Sequence, residues 1–255
     1  MADGSIKRAV SGQVLTEIQN WVRESSARAE KGFKSAPRSE DVLTGAWASK
    51  LETDWSERRL SVGSEWRWKI EYRAFGSGNQ YSSEENTIGA DGIFQVEVDK
   101  YKIELAQASG KTYSLENVQL DSSFKKGILF QSKRHDSKEG PKKLVEQLKK
   151  MENAAPGGGA FFEFGPKGYK AASATDVIEA EGLVKNVDAK QIPSLGEFLA
   201  SEFLACKVGL EGMYIDFDDN TLSFPEENNQ VVKVRDEIGS GLRVEVRAFT
   251  AVDIS

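Results

Sequence analysis

The chain has 255 residues, a net charge of -6, a single cysteine and a single histidine. A chain of this length buries roughly 70 to 75% of its unfolded surface, and Cys206 alone can form neither an intrachain disulfide nor a zinc site. His135 alone removes histidine-pair ribonucleases, paired-histidine phosphodiesterases, His-bound zinc hydrolases and most nucleophile–histidine triads, so any hydrolysis must run on carboxylates, lysine and a metal held by oxygen.

At the N-terminus, "MADGSIKRAV" lacks a continuous apolar leader, and no stretch has the apolar length of a membrane span, so a cytoplasmic protein with no membrane partner is expected. Val14, Ile18, Trp21 and Val22 recur at helical spacing between Gly12 and Lys34, before a turn in "KSAPRSED". Ser39 then reads as the N-cap of a second helix with Val42, Leu43, Ala46, Trp47 and Leu51 on one stripe. "EWRWKIEYRAFG" alternates Trp66, Trp68, Ile70 and Tyr72 against charged residues, the period of a half-buried strand, and a loop "GSGNQYSSEEN" follows.

A second strand is expected from near Gly89, with Phe94, Val96 and Val98 on one face and Ile93, Gln95 and Glu97 on the other. Ala106 to Asp121 reads as a hairpin extension or loop. "KKGILFQSKR" is a third strand, Gly140-Pro141 punctuates, and Leu144, Leu148 and Met151 stripe the next helix. "GGGAFFEFGPKGYKAASA" reads as a fourth strand or hairpin. A helix from about Leu195 to Lys207, short strands around 212–217 and 221–224, and a final strand in "GLRVEVRAFTAVDIS" complete the chain. Cys206 is expected to pack on the apolar stripe of that last helix. Trp47, Trp66 and Trp68 are expected in the core.

The order implies an α/β fold in which a mixed central sheet is flanked by helices, with an N-terminal helix and a C-terminal α+β extension. The expected division is an N-terminal helical segment 1–38, a core 39–175, and an extension 176–255 packed on that core.

Residues two apart on a strand share a face, so Gln131 and Lys133 project together while Ile128 and Phe130 anchor the other side. Forty residues upstream "GADG" puts Asp91 at a strand start, and Glu40 opens a helix. Lys125 to Lys150 carries nine Lys and Arg residues against three acids, which makes Arg134, Lys142, Lys143 and Lys149 candidate nucleic-acid contacts. Glu71 and Glu97 read as solvated strand carboxylates before they read as outer groups of a site. Gln147 reads equally as solvent-facing or site-facing, and His135 as a surface or phosphate contact.

In order and spacing, "SEDVLTGAW", "TIGADGIFQVEV", "GILFQSKR", "LVEQLKKM" and "AFFEFGPKGYKA" resemble the PD-(D/E)xK, or restriction-endonuclease-like, nuclease superfamily. The resemblance spans about Ser39 to Ala174 and is to the Mrr-like, defence-associated branch, where glutamine replaces the acid of the third motif. It implies magnesium, with manganese as a substitute, held by Asp91, the Gln131 side-chain oxygen, the Ser132 backbone carbonyl and Glu40. Lys133 would orient water and stabilise phosphate charge. The implied activity is cleavage of DNA ahead of RNA by the nuclease subunit of a bacterial anti-phage or restriction system. A helicase or ATPase partner, or self-association, would govern it. A catalytically silent subunit that binds nucleic acid or protein is the alternative.

Overall fold

The computed structural model describes residues 5–33, 39–61, 64–75, 88–108, 112–187, 192–225, 231–233 and 238–254. The loop expected over 76–86 and most of the "KSAPRSED" turn lie outside these residues.

Helix α1 is Ser5–Ala9 and α2 is Gly12–Lys31, opened by Ser11, whose hydroxyl accepts the Val14 N–H. Ser39 caps α3 (Glu40–Leu51) in the same way, with Glu40 and Asp41 in the first turn, where the helix dipole favours acids. Strands β1 (Thr53–Ser61) and β2 (Ser64–Ala74) follow, then the long pair β3 (Gly92–Ala108) and β4 (Thr112–Arg134). Pro141 begins α4 (Pro141–Ala154), where its missing N–H costs nothing. Next come β5 (Gly159–Gly165), β6 (Gly168–Ser173), α5 (Ala174–Glu179) and a 3-10 turn at Val184–Asn186. The helix expected over Leu195–Lys207 is a short α6 (Leu195–Phe198) continued by a π-helical turn, Leu199–Phe203, so Cys206 lies beyond it with φ +64°. Short strands β7 (Leu210–Glu211), β8 (Tyr214–Asp216), β9 (Thr221–Ser223) and β10 (Val231–Lys233) precede β11 (Ser240–Ile254).

The fold is α/β: a mixed eight-stranded sheet in the order β1-β2-β11-β3-β4-β5-β6, with β7 added to β4, flanked by helices. Parallel pairing joins β11 to β3 and β4 to β5; the other neighbours are antiparallel. The C-terminal segment also supplies a strand to the large sheet: β11 pairs with β3 along its full length and with β2 from Ser240 to Thr250, so it is internal over that stretch. A separate three-stranded sheet runs β10-β9-β8. The stretch 106–121 is the outer part of the β3–β4 hairpin.

Each face of the large sheet has its own core. On one, α1, α2, α3 and α6 cover Ile70, Phe94, Val96, Ile128, Phe130, Phe162 and Val244, with Trp47 fully buried. On the other, α4, α5 and the small sheet cover Ile93, Leu129 and Phe161. Trp68 is buried in the first core and Trp66 packs on its margin, in line with the alternation of β2. A β-strand with apolar residues on both faces is what an internal position demands.

Gln95 sits on the second face with no exposed surface. Its amide donates to the Ile215 carbonyl at 2.9 Å and accepts the Ile215 N–H at 2.7 Å, so one side chain imitates a strand and fastens β8 to the large sheet. Replacing Gln95 with leucine leaves both backbone groups buried and unpaired. The expected cost is roughly 2–4 kcal/mol by urea unfolding, with faster amide exchange concentrated in 213–223. A loss under ~0.5 kcal/mol contradicts this anchoring.

Candidate functional site

The antiparallel register pairs Gly92 with Phe130, and the Asp91 N–H donates to the Phe130 carbonyl at 2.9 Å. That fixes Asp91 beside Gln131, across forty residues of chain. The flanking glycines explain how the approach is achieved. Gly89 has φ +76°, and a Cβ there would lie 2.4 Å from the Gln147 carbonyl of α4; at Gly92 it would lie 2.4 Å from the Phe130 ring.

Asp91 Oδ2 accepts three hydrogen bonds: from Gln131 Nε2 at 2.7 Å, the Ser132 N–H at 2.7 Å and Ser132 Oγ at 2.8 Å. None reaches Oδ1 among the described residues. The expectation had Gln131 presenting its oxygen; its amide nitrogen faces Asp91 instead, since an ionised carboxylate needs donors. Ser132, 1% exposed, also receives the Thr44 hydroxyl of α3 at 3.3 Å. Burial pushes the Asp91 carboxyl up to about 6, against the lowering charge of Lys133 and the Ser132 hydrogen bonds.

Lys133 shares the Gln131 face. Its ammonium lies 2.5 Å from Glu139 Oε2 and 3.4 Å from Glu40 Oε2, while Glu40 Oε1 accepts the Arg134 N–H at 3.2 Å. Burial alone would lower the Lys133 ammonium, but the pairing with Glu139 and the charges of Asp91 and Glu40 carry it above its ordinary value. Glu139 is pushed up by burial and held below the usual range by Lys133 and Lys143, the latter at 2.6 Å.

Asp91 opens onto a cleft of about 320 Å³ lined by Asp41, Val42, Thr44, Tyr72, Ala74, Gly239 and Ser240. Glu40 opens onto a second, of about 510 Å³, with Asp41, Arg134, Asp136 and Lys138. Asp41 borders both, so the first turn of α3 divides them. The basic stretch is partly neutralised within itself. Arg134 makes a bidentate pair with Asp136 at 2.8 and 2.7 Å and Lys143 is held by Glu139, whereas Lys142 and Lys149 are exposed.

The structure thus places the five expected residues at one end of the sheet in two groups, Asp91 with Gln131 and Ser132 beside one cleft and Glu40 with Lys133 beside the other. Glu71 and Glu97, together with Glu245, belong instead to a ladder of ion pairs with Lys69, Lys125 and Arg243. His135 packs against the Phe33 ring, and Gln147 Oε1 is buried without a partner among the described residues. Sequence reasoning missed Glu139; its place one residue before the Gly140-Pro141 helix start was the available signal. Among the described residues no group of three or more His, Cys, Asp or Glu side chains could hold a metal ion, and no helix is long and apolar enough to cross a membrane. Comparisons with protein-family models, curated proteins and solved structures return no match.

The raised Asp91 carboxyl has a stability consequence. Between its unfolded value of 3.8 and about 6, the folded chain holds a proton that the unfolded chain has released, so stability falls as pH rises through that window. Asp91→Asn keeps an acceptor for the three donors and removes the charge. In chelator-treated protein it should match the parent near pH 4 and gain roughly 1–3 kcal/mol by pH 7–8. A difference that stays flat with pH contradicts the assignment.

Proposed function

We propose that the protein is a metal-dependent phosphodiesterase that cleaves DNA, with RNA as the second substrate class. The observation that supports this reading is the convergence of Asp91, Gln131 and Lys133 with Glu40 from a separate helix, all at the open end of one antiparallel strand pair. The donor set suits a hard cation, magnesium or manganese: Asp91 Oδ1, Glu40, the Ser132 carbonyl and, after the amide turns over, Gln131 Oε1. Such an ion supplies charge for a phosphoryl oxygen and a more acidic water. Lys133, kept as an ammonium between two carboxylates, donates to a non-bridging phosphate oxygen. Exposed Lys142 and Lys149 on α4 hold the neighbouring backbone. A nuclease subunit of a bacterial defence or restriction system, governed by a helicase, an ATPase or its own oligomer, is the setting this reading implies.

A specific observation favours the silent-subunit reading as the second choice. The Gln131 amide satisfies Asp91 in the way a cation would, leaving two carboxylates where the acidic form of the motif has three.

Supercoiled plasmid, single-stranded DNA and RNA, each with magnesium or manganese, separate the two. The parent should cut at least one of them, and Lys133→Ala should lose roughly 100- to 10,000-fold in rate while folding normally. Lys133→Arg should not restore it, because a planar guanidinium cannot replace a compact ammonium wedged between Glu40 and Glu139. A parent that cuts nothing with either ion, yet binds DNA with a steep salt dependence, transfers the conclusion to the silent subunit.

A further inference from the structure

We infer that Glu139, in the turn between β4 and α4, is a positioning residue that fixes the Lys133 ammonium, and that Lys143 buttresses Glu139 instead of contacting substrate. The kinetic consequence rests on the phosphodiesterase reading; the geometric one does not.

An ammonium has three donors on a flexible four-carbon stem. Glu40 Oε2 accepts one of them at 3.4 Å, and Glu139 Oε2 lies 2.5 Å from the same nitrogen as an ion pair, so two carboxylates bracket the ammonium. Glu139 is held in turn: its other oxygen takes Lys143 at 2.6 Å, and its backbone N–H reaches Ser137 Oγ at 3.4 Å. The side chains of Lys133 and Glu139 are 11% and 18% exposed, so this pair is not one of the solvated surface pairs that contribute little. Lys143, at 48% exposure, is the solvent-side end of the chain Lys143–Glu139–Lys133–Glu40. Freezing the lysine stem before substrate arrives removes an entropy cost from the reaction step. Sequence proximity to Lys142 disguises Lys143 as a phosphate contact, although its charge is already committed.

The test uses the full chain with 15N-labelled lysine at one fixed pH. A hydrogen-bonded, enclosed ammonium is shielded from exchange, so Lys133 should give a visible ammonium signal, assigned by its disappearance in Lys133→Arg. Glu139→Gln should abolish the signal with the backbone amide spectrum otherwise intact; Glu139→Asp should retain it weakly, and Lys143→Ala should diminish it. Persistence of the full signal in Glu139→Gln overturns the proposal. In cleavage assays Glu139→Gln should lower kcat roughly 10- to 100-fold with KM nearly unchanged, as for other residues that act through a neighbour. In DNA binding, Lys142→Ala should reduce the salt slope by about 0.9 and Lys143→Ala should not; equal slope losses overturn the buttress. If the parent cuts nothing, the phosphodiesterase reading falls while the ammonium signal still decides the role of Glu139.

Discussion

One oxygen atom organises this molecule's open sheet end. Asp91 Oδ2 gathers a side-chain amide, a backbone N–H and a hydroxyl, all from two consecutive residues of β4. Neutral donors of this kind stabilise a carboxylate, yet burial wins and the group is a weaker acid than an ordinary aspartate. The remaining oxygen takes no hydrogen bond among the described residues, and Asp91 borders a cleft. Everything placed around it, Lys133 above all, answers a negative charge that the fold has partly removed from water.

The same accounting applies to the basic stretch. Counted along the sequence it carries six net positive charges, but in space several are spent internally: Lys133 between two carboxylates, Lys143 on Glu139, Arg134 on Asp136. Exposed pairs such as Arg134 with Asp136 contribute little to stability and are readily exchanged for another anion. Enclosed ones are not. Exposed charge with no ion pair among the described residues lies at Lys142 and Lys149 on α4 and at Lys138, which borders the same cleft as Glu40.

Local pattern carried most of the fold. The two-residue alternation of β2 and of Phe94 to Val98 marked the strands, while Ser39 and Pro141 marked the helix starts. What stayed illegible was non-local. Nothing in "GLRVEVRAFTAVDIS" distinguishes an edge strand from one inserted between β2 and β3, because both read as alternation with partly apolar faces. The charge-rich β1 was not read as a strand, since four of its nine residues are charged and its pairing with β2 supplies the order that propensity does not. At the site, strand alternation put Gln131 and Lys133 on one face and the resemblance implied Asp91 and Glu40 beside them, but Glu139 became visible only through an ion pair across the turn.

Gln131 stands between the buried carboxylate and the rest of the sheet end. A glutamate there would set a carboxylate oxygen against Asp91 Oδ2 at hydrogen-bond distance, a contact that two ionised groups sustain only with a shared proton or a cation between them. The amide removes that requirement by donating where an acid could only repel. It makes the folded arrangement self-sufficient without an ion, at the cost of a competition: to offer its oxygen to a cation, Gln131 must first release Asp91 Oδ2. Under the phosphodiesterase reading, binding of a cation would therefore be coupled to an amide flip in a residue that is 1% exposed, and one neutral side chain would set the strength of that coupling.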